Sequence, residues 1–298
     1  MYKQITSNKR KSFLLIAIFV IFVIFLGWIF GQVTNDGYGA LVLALAISLV
    51  MALLSFYSGD KIALWTAGAK GPIQKNDNPY VYRLVENLCI TAGLPMPKVY
   101  VIADPAPNAF ATGRDPKHAS IAITTGLIER LENEELEGVI AHELSHIKNY
   151  DIRLMMVVIV LVGVVALLSD WLLRFRFFGG RRDDRDSGGQ LGAILLLVGI
   201  VLAILSPLLA KLIQLAVSRK REFLADADGA LLTRYPEGLA KALEKISAYG
   251  EPMIRANDAT AHLYISNPFG GKKNKFFHKL FSTHPPTEER IKTLRGMA

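Results

Sequence analysis

The chain has a single cysteine, Cys89, in 298 residues, so no intrachain disulfide and no cysteine-based metal cluster can form. That absence fits a functional part facing a reducing compartment. Histidine is also scarce, at six residues. No nucleic-acid-binding motif, internal repeat or low-complexity segment is present, so the net charge of +8 is not that of a nucleic-acid binder. Its basic residues crowd beside apolar runs, which points to anionic lipid headgroups as partners. The apolar fraction of 51% and a positive mean hydropathy exceed what a soluble domain of this length usually carries.

Residues 13–30 are almost continuously apolar, follow Lys3, Lys9, Arg10 and Lys11, and lead into a polar turn ending at Gly37. A second apolar run covers 39–57, with Lys61 and Lys70 beyond it. With no small-residue cleavage site and a second run directly behind, the first reads as an uncleaved anchor rather than a signal peptide. Basic residues at both outer flanks predict a hairpin with both ends in the cytoplasm. Two further runs, 154–173 and 191–217, flank a segment, 174–190, holding five arginines and three aspartates. So basic a loop on the far side of a membrane runs against the positive-inside tendency. Full spanning and a partly shielded hairpin both stay open there.

The intervening segments read as one interrupted soluble domain. An amphipathic helix is expected over 80–92, ending near Gly93, with short strands at 98–103 and 120–124 and a further extended segment at 108–112 before Gly113. A helix beginning near Asn133, capped by that side chain, carries His142-Glu143-Leu144-Ser145-His146. Another follows Pro236. The expected fold class is α+β and mainly helical. It is a multi-pass membrane protein divided into an N-terminal transmembrane hairpin (1–60), a first catalytic part with the motif helix (61–151), a second hydrophobic hairpin (152–217) and a second catalytic part (218–298).

Two histidines four residues apart share one helix face and can grip one metal ion, with Glu143 beside it as a base. The alternative, two surface histidines on a charged helix, leaves the apolar character of Val139, Ile140, Leu144 and Ile147 unexplained. A catalytic zinc takes three protein ligands and keeps a fourth position for water. Glu222 is the candidate for the third. It opens a helix-compatible stretch after the second hairpin, whose two apolar runs return the chain to the side it left. Asp226, one turn on, shares its face and can fix the tautomer of a ligating imidazole. The competing reading pairs Glu222 with Arg219 or Arg221 and leaves Asp226 and Asp228 solvated. With zinc, Glu143 takes a proton from the attacking water and passes it to a leaving amine, which is the chemistry of amide hydrolysis.

In their order along the chain, residues 107–113, His142–His146, Glu222–Asp226 and Ser282-Thr283-His284-Pro285-Pro286 followed by Arg290 resemble the membrane-anchored zinc endopeptidases typified by the bacterial heat-shock protease HtpX. The CaaX prenyl endopeptidases are more distantly similar. The resemblance implies a zincin catalytic domain of the gluzincin type, with a small β-sheet and one Zn2+ on His142, His146 and Glu222. It also implies Glu143 as base and Asp226 beside the ligands. Asn108, Ala109, Phe110 and Ala111, which on their own residues read rather as an ordinary surface loop, become under the resemblance an edge strand on which an extended polypeptide adds. His284 and Arg290 become either donors to the developing oxyanion or organisers of the cleft, and His284 before two prolines is equally a structural turn. Further implied are location in the inner membrane, with the catalytic domain and termini cytoplasmic, a place in stress response and protein quality control, and membrane or misfolded proteins as substrates. The sequence carries no signal of oligomeric state. Two other readings are an intramembrane metalloprotease of the site-two type, against which stand Glu132, Glu134, Glu135, Glu137 and Lys148 around the motif, and a non-catalytic zinc-binding chaperone or adaptor, which lacks a fourth ligand.

Overall fold

The computed structural model describes residues 2–34, 38–158, 161, 199, 219–257, 260–270 and 285–297. Two long helices open the chain, α1 (Tyr2–Thr34) and α2 (Gly39–Thr66), packed against each other and covering the first two apolar runs. They bury few of their large side chains: Phe13, Leu14, Ile21, Phe25, Val42, Leu43 and Leu53 are all exposed. An apolar surface of that extent marks contact with another apolar phase. Among the described residues no single helix is both long and apolar enough to cross a membrane, while the pair Leu45–Met51 and Phe56–Thr66, bent by 60°, meets that requirement jointly. Of the runs at 154–173 and 191–217 only 154–158, 161 and 199 are described, and the 174–190 loop and the expected hairpin lie outside the described residues.

The chain then enters a small mixed sheet. Strands β1 (Ala69–Lys70), β2 (Lys98–Ile102), β3 (Ala109–Gly113) and β4 (Ala119–Thr124) lie in the order β1-β2-β4-β3. The β2–β4 pair is parallel, with Lys98 opposite Ser120, and β1–β2 and β3–β4 are antiparallel, with Ala109 opposite Ile123. β3 is therefore an edge. Helix α3 (Pro79–Ala92) starts where Asn78 accepts from the Val81 N–H and Pro79 presets the first turn, and it stops at Gly93 in the left-handed region. Its buried stripe of Val81, Leu84, Val85 and Leu88 packs against the motif helix and joins the core that includes Ile121 and Ile123 of β4.

A short helix α4 (Thr125–Arg130) leads to α5 (Asn133–Lys148), the motif helix. The expected cap is displaced by one residue: Glu132, not Asn133, occupies the cap position. Its N–H donates to Glu135 Oε2 at 2.9 Å, and Asn133 instead reaches one turn forward to Glu137. A capping box satisfies more of the free N–H groups than a lone Asn side chain can. Beyond the second hydrophobic segment come α6 (Arg219–Thr233), α7 (Pro236–Tyr249) and α8 (Thr287–Arg295). α5 packs closely against α6 and α7, and Leu136, Val139, Ile140, Leu144, Leu239, Leu243 and Leu294 share one core with the sheet. A central helix with a buried face on nearly every side can hold polar residues only if they have partners.

Candidate metal centre

α5 is apolar around most of its circumference, yet His142, Glu143 and His146 are buried in it, at 1%, 1% and 5% exposure, and Glu222 of α6 is fully buried beside them. The donor atoms of His142, His146 and Glu222 lie within 4.8 Å of one another. Individually, the two Nε2 atoms are 3.2 Å apart, and Glu222 stands 3.9 Å from His142 Nε2 and 3.6 Å from His146 Nε2. A tetrahedral zinc with bonds of about 2.0–2.2 Å separates its ligand atoms by about 3.3–3.6 Å, close to this triangle.

The opposite edge of each imidazole supplies the second test. His146 Nδ1 lies 3.0 Å from Asp151 Oδ2. His142 Nδ1 lies 2.9 Å from Asp226 Oδ1, somewhat off the ideal N–H direction. With both Nδ1 protons directed at carboxylates, both Nε2 lone pairs point at the shared space. Two lone pairs 3.2 Å apart repel unless a positive charge stands between them, so the chemistry of the donor set fits a cation. A proton on one ring, or a metal ion, meets that need.

The charges around the site follow the same logic. Burial pushes His142 below its ordinary range, only partly offset by Asp226. Burial also works against a charged His146, but the Asp151 hydrogen bond and the Glu222 and Asp151 charges outweigh it and lift the group to about 9. Burial, reinforced by Glu222, pushes Glu143 up to about 7, while the Ala111 backbone and nearby cations pull the other way. Asp226 is held below the usual carboxylate range: burial opposes this, and Arg290 prevails. Arg290, on α8 and 1% exposed, grips Asp226 with Nε at 2.9 Å and Nη2 at 2.7 Å, donates from Nη1 to the Ile265 carbonyl at 3.1 Å, and approaches Glu222 Oε2 to 3.8 Å.

Glu222 thus faces the histidines and Arg290. Asp226 and Asp228 are not a solvated face: Asp228 receives the Ser145 hydroxyl at 3.1 Å and the Asn149 amide at 3.0 Å, pinning α6 to α5. The segment 108–111 divides. The Ala111 backbone acts on Glu143, placing that strand beside the site. Asn108 is engaged elsewhere, donating to the Ser266 carbonyl at 3.0 Å and accepting from the Ser266 N–H at 3.3 Å. Phe110 packs edge-on against Tyr264, and the Ala109 carbonyl accepts from the Ile265 N–H at 3.0 Å. His284 lies outside the described residues. Asp151, the partner of His146, escapes sequence reasoning because five residues is not a same-face spacing on a helix.

The model of peptidase family M48 matches residues 75–298, three quarters of the chain and all of the site. The chain belongs to peptidase family M48. It is accordingly a metalloprotease, a hydrolase of peptide bonds that uses a metal cofactor. Full-length similarity agrees: the protease HtpX homologue of Tropheryma whipplei strain Twist is 47% identical over 297 residues, covering 100% of this chain and 98% of the relative. That of Caldanaerobacter subterraneus subsp. tengcongensis is 46% identical over 298 residues, with the same coverage. That of Lactobacillus helveticus is 45% identical over 302 residues and covers all of both chains. Among solved structures, the crystal structure of S. mikatae Ste24p shares the fold at a TM-score of 0.55 and 19% identity, over 99% of this chain and 67% of that one.

Proposed function

We propose that this M48 peptidase is a membrane-anchored zinc endopeptidase with His142, His146 and Glu222 as ligands and Glu143 as the general base. The observation that carries the reading is the convergence of three buried donor atoms whose imidazoles are each backed by a carboxylate. Held by these three residues, zinc would lower the pKa of a water molecule towards about 7 and polarise the scissile carbonyl. Glu143 accepts the proton of the attacking water and delivers it to the departing amine. Burial places this carboxyl near 7, where an acid–base group is effective in both directions. Arg290 holds Asp226, and Asp226 holds His142.

Substrate binding follows from the edge strand. Thr124 N–H donates to the Asn108 carbonyl, so by alternation Ala109, Ala111 and Gly113 turn their peptide groups away from β4. The Ala109 carbonyl is already taken by Ile265 and the Ala111 N–H is turned to Glu143, which leaves the Ala111 carbonyl and Gly113 for an incoming extended peptide. Such a peptide is held by main-chain bonds with little demand on its sequence. The side chains of Asn108 and Phe110 shape that strand from behind. The long apolar helices α1 and α2 argue for an anchor, the basic flanks for a cytoplasmic catalytic face, and anchoring for membrane or misfolded proteins as substrates. The domain limits 1–60, 61–151, 152–217 and 218–298 are part of the same proposal, as is His284 as a donor to the cleft.

Glu143→Ala is the discriminating variant. In the purified full chain it retains one zinc per chain by metal analysis and loses cleavage of an unfolded substrate by about 10²–10⁴-fold. Undiminished cleavage by Glu143→Ala refutes the assignment, and zinc retained by Glu222→Ala refutes the third ligand.

A further inference from the structure

α5 ends at Lys148, and the chain does not simply run on into the helical stretch 151–158. Between them Asn149 returns its N–H to the Ser145 carbonyl at 2.9 Å, and Tyr150 adopts φ 60, a left-handed conformation costing a non-glycine residue about 1–2 kcal/mol. In an uninterrupted helix, Asp151 would stand about 140° around the axis from His146, at roughly 100° per residue. The left-handed turn is what brings its carboxylate back to His146 Nδ1.

A conformation of that kind persists only where its surroundings hold it, and here the holding comes from the N-terminal helix. Asn8 of α1 is fully buried, and its Nδ2 donates both to Asp151 Oδ1 at 2.6 Å and to the Asn149 carbonyl at 2.9 Å, bridging the two sides of Tyr150. Lys9 places its ammonium 4.3 Å from the centre of the Tyr150 ring, and Arg153 covers the same ring at 5.1 Å. Arg221 of α6 approaches Asp151 Oδ1 to 3.8 Å, so the carboxylate is flanked by α1, α6 and the ligand it orients.

We infer that Asn8 is a positioning residue of the metal centre, which locks Asp151 onto His146 and makes the seating of the N-terminal helix a determinant of metal affinity. The inference rests on the reading of His142, His146 and Glu222 as ligands. A helix ahead of the catalytic segments thereby reports to the site through two hydrogen bonds and no contact with substrate.

The test uses the full-length protein in detergent. Zinc affinity is read by competition with a chromogenic chelator, and ligand geometry by the visible bands of the cobalt-substituted form. Asn8→Leu keeps the bulk of the side chain and removes its donor, whereas Asn8→Ala removes both. Both variants are expected to bind zinc about tenfold more weakly, the low end of the loss seen when partners of a metal-ligating histidine are removed, and to shift the cobalt bands. Wild-type affinity and an unshifted spectrum in Asn8→Leu overturn the inference, whatever Asn8→Ala does, because only packing is then at stake. A double-mutant cycle guards against a poorly folding single variant: in an Asp151→Asn background, Asn8→Leu should cost no further affinity, and an undiminished additional loss there also overturns it. Wild-type zinc binding that survives Glu222→Ala signals the different failure, that of the ligand assignment itself.

Discussion

For His142 and His146 the informative atoms are the Nδ1 nitrogens rather than the Nε2 pair that faces the metal position. Each Nδ1 meets a carboxylate, and each carboxylate is fixed in turn, Asp226 by the two-pronged grip of Arg290 and Asp151 by Asn8. Asp226→Ala is therefore expected to reduce zinc affinity by about 10–100-fold in chelator competition, since His142 loses the group that sets its tautomer and Arg290 loses its two-pronged partner, which leaves Glu222 as the carboxylate it faces. Affinity within twofold of wild type would show that Asp226 serves only the packing of α6. These two carboxylates were not equally legible. Asp226 follows Glu222 by one helical turn, a relation that spacing alone displays. Asp151 reaches His146 only through the positive φ of Tyr150, a conformational choice fixed by contacts from α1 that no local pattern records.

The elements that hold these residues meet at unusually short range where glycine allows it. A Cβ on Gly229 of α6 would come within 3.1 Å of the His142 backbone nitrogen, and one on Gly138 of α5 within 2.7 Å of the Leu239 backbone nitrogen on α7. Gly138→Ala should push α7 away from α5, the helix that carries both histidines, because the atoms in its way are backbone. The expected cost is about 1–3 kcal/mol in stability, seen as a lowered melting temperature, together with weaker zinc binding. A variant that loses stability with unchanged zinc affinity would place the strain elsewhere than at the metal. At this scale the sequence was largely readable. The periodicity of α3 and α7, the Pro236 start, the glycine stop after α3 and strands β2 and β4 follow from local chemistry, and the structure places them within a few residues, whereas β3 lies where the resemblance implied a strand. β1, of two residues, and α8, whose nine residues bury only Arg290 and Leu294, carry too little local signal to be read. The cap of α5 shifted because a reciprocal pair of glutamates outcompetes a single asparagine.

Across the whole molecule, the site joins parts of the chain that are distant in sequence: His142 and His146 precede the second hydrophobic segment, Glu222 and Asp226 follow it, and Arg290 lies near the end. A cation held by His142, His146 and Glu222, as proposed, would bridge α5 to α6 and offset charge buried between them. Ligand binding to the native state alone stabilises it by RT ln(1 + [L]/Kd), about 2.7 kcal/mol at a hundredfold excess over Kd. For a chain of 298 residues, at about 2.1 cal/mol/K of unfolding entropy per residue, that corresponds to roughly 4 °C in melting temperature. Removing zinc with a chelator from the detergent-solubilised protein is expected to lower the transition by at least that amount, and added zinc to restore it. The Glu143→Ala variant gives the comparison its force. As the proposed base, Glu143 does not hold the ion, so the zinc-dependent shift should persist in a protein that cannot cleave itself during the scan, whereas Glu222→Ala should show little shift. If the shift vanished in Glu143→Ala and persisted in Glu222→Ala, the roles of the two glutamates would be exchanged, and the ion would be held by α5 alone.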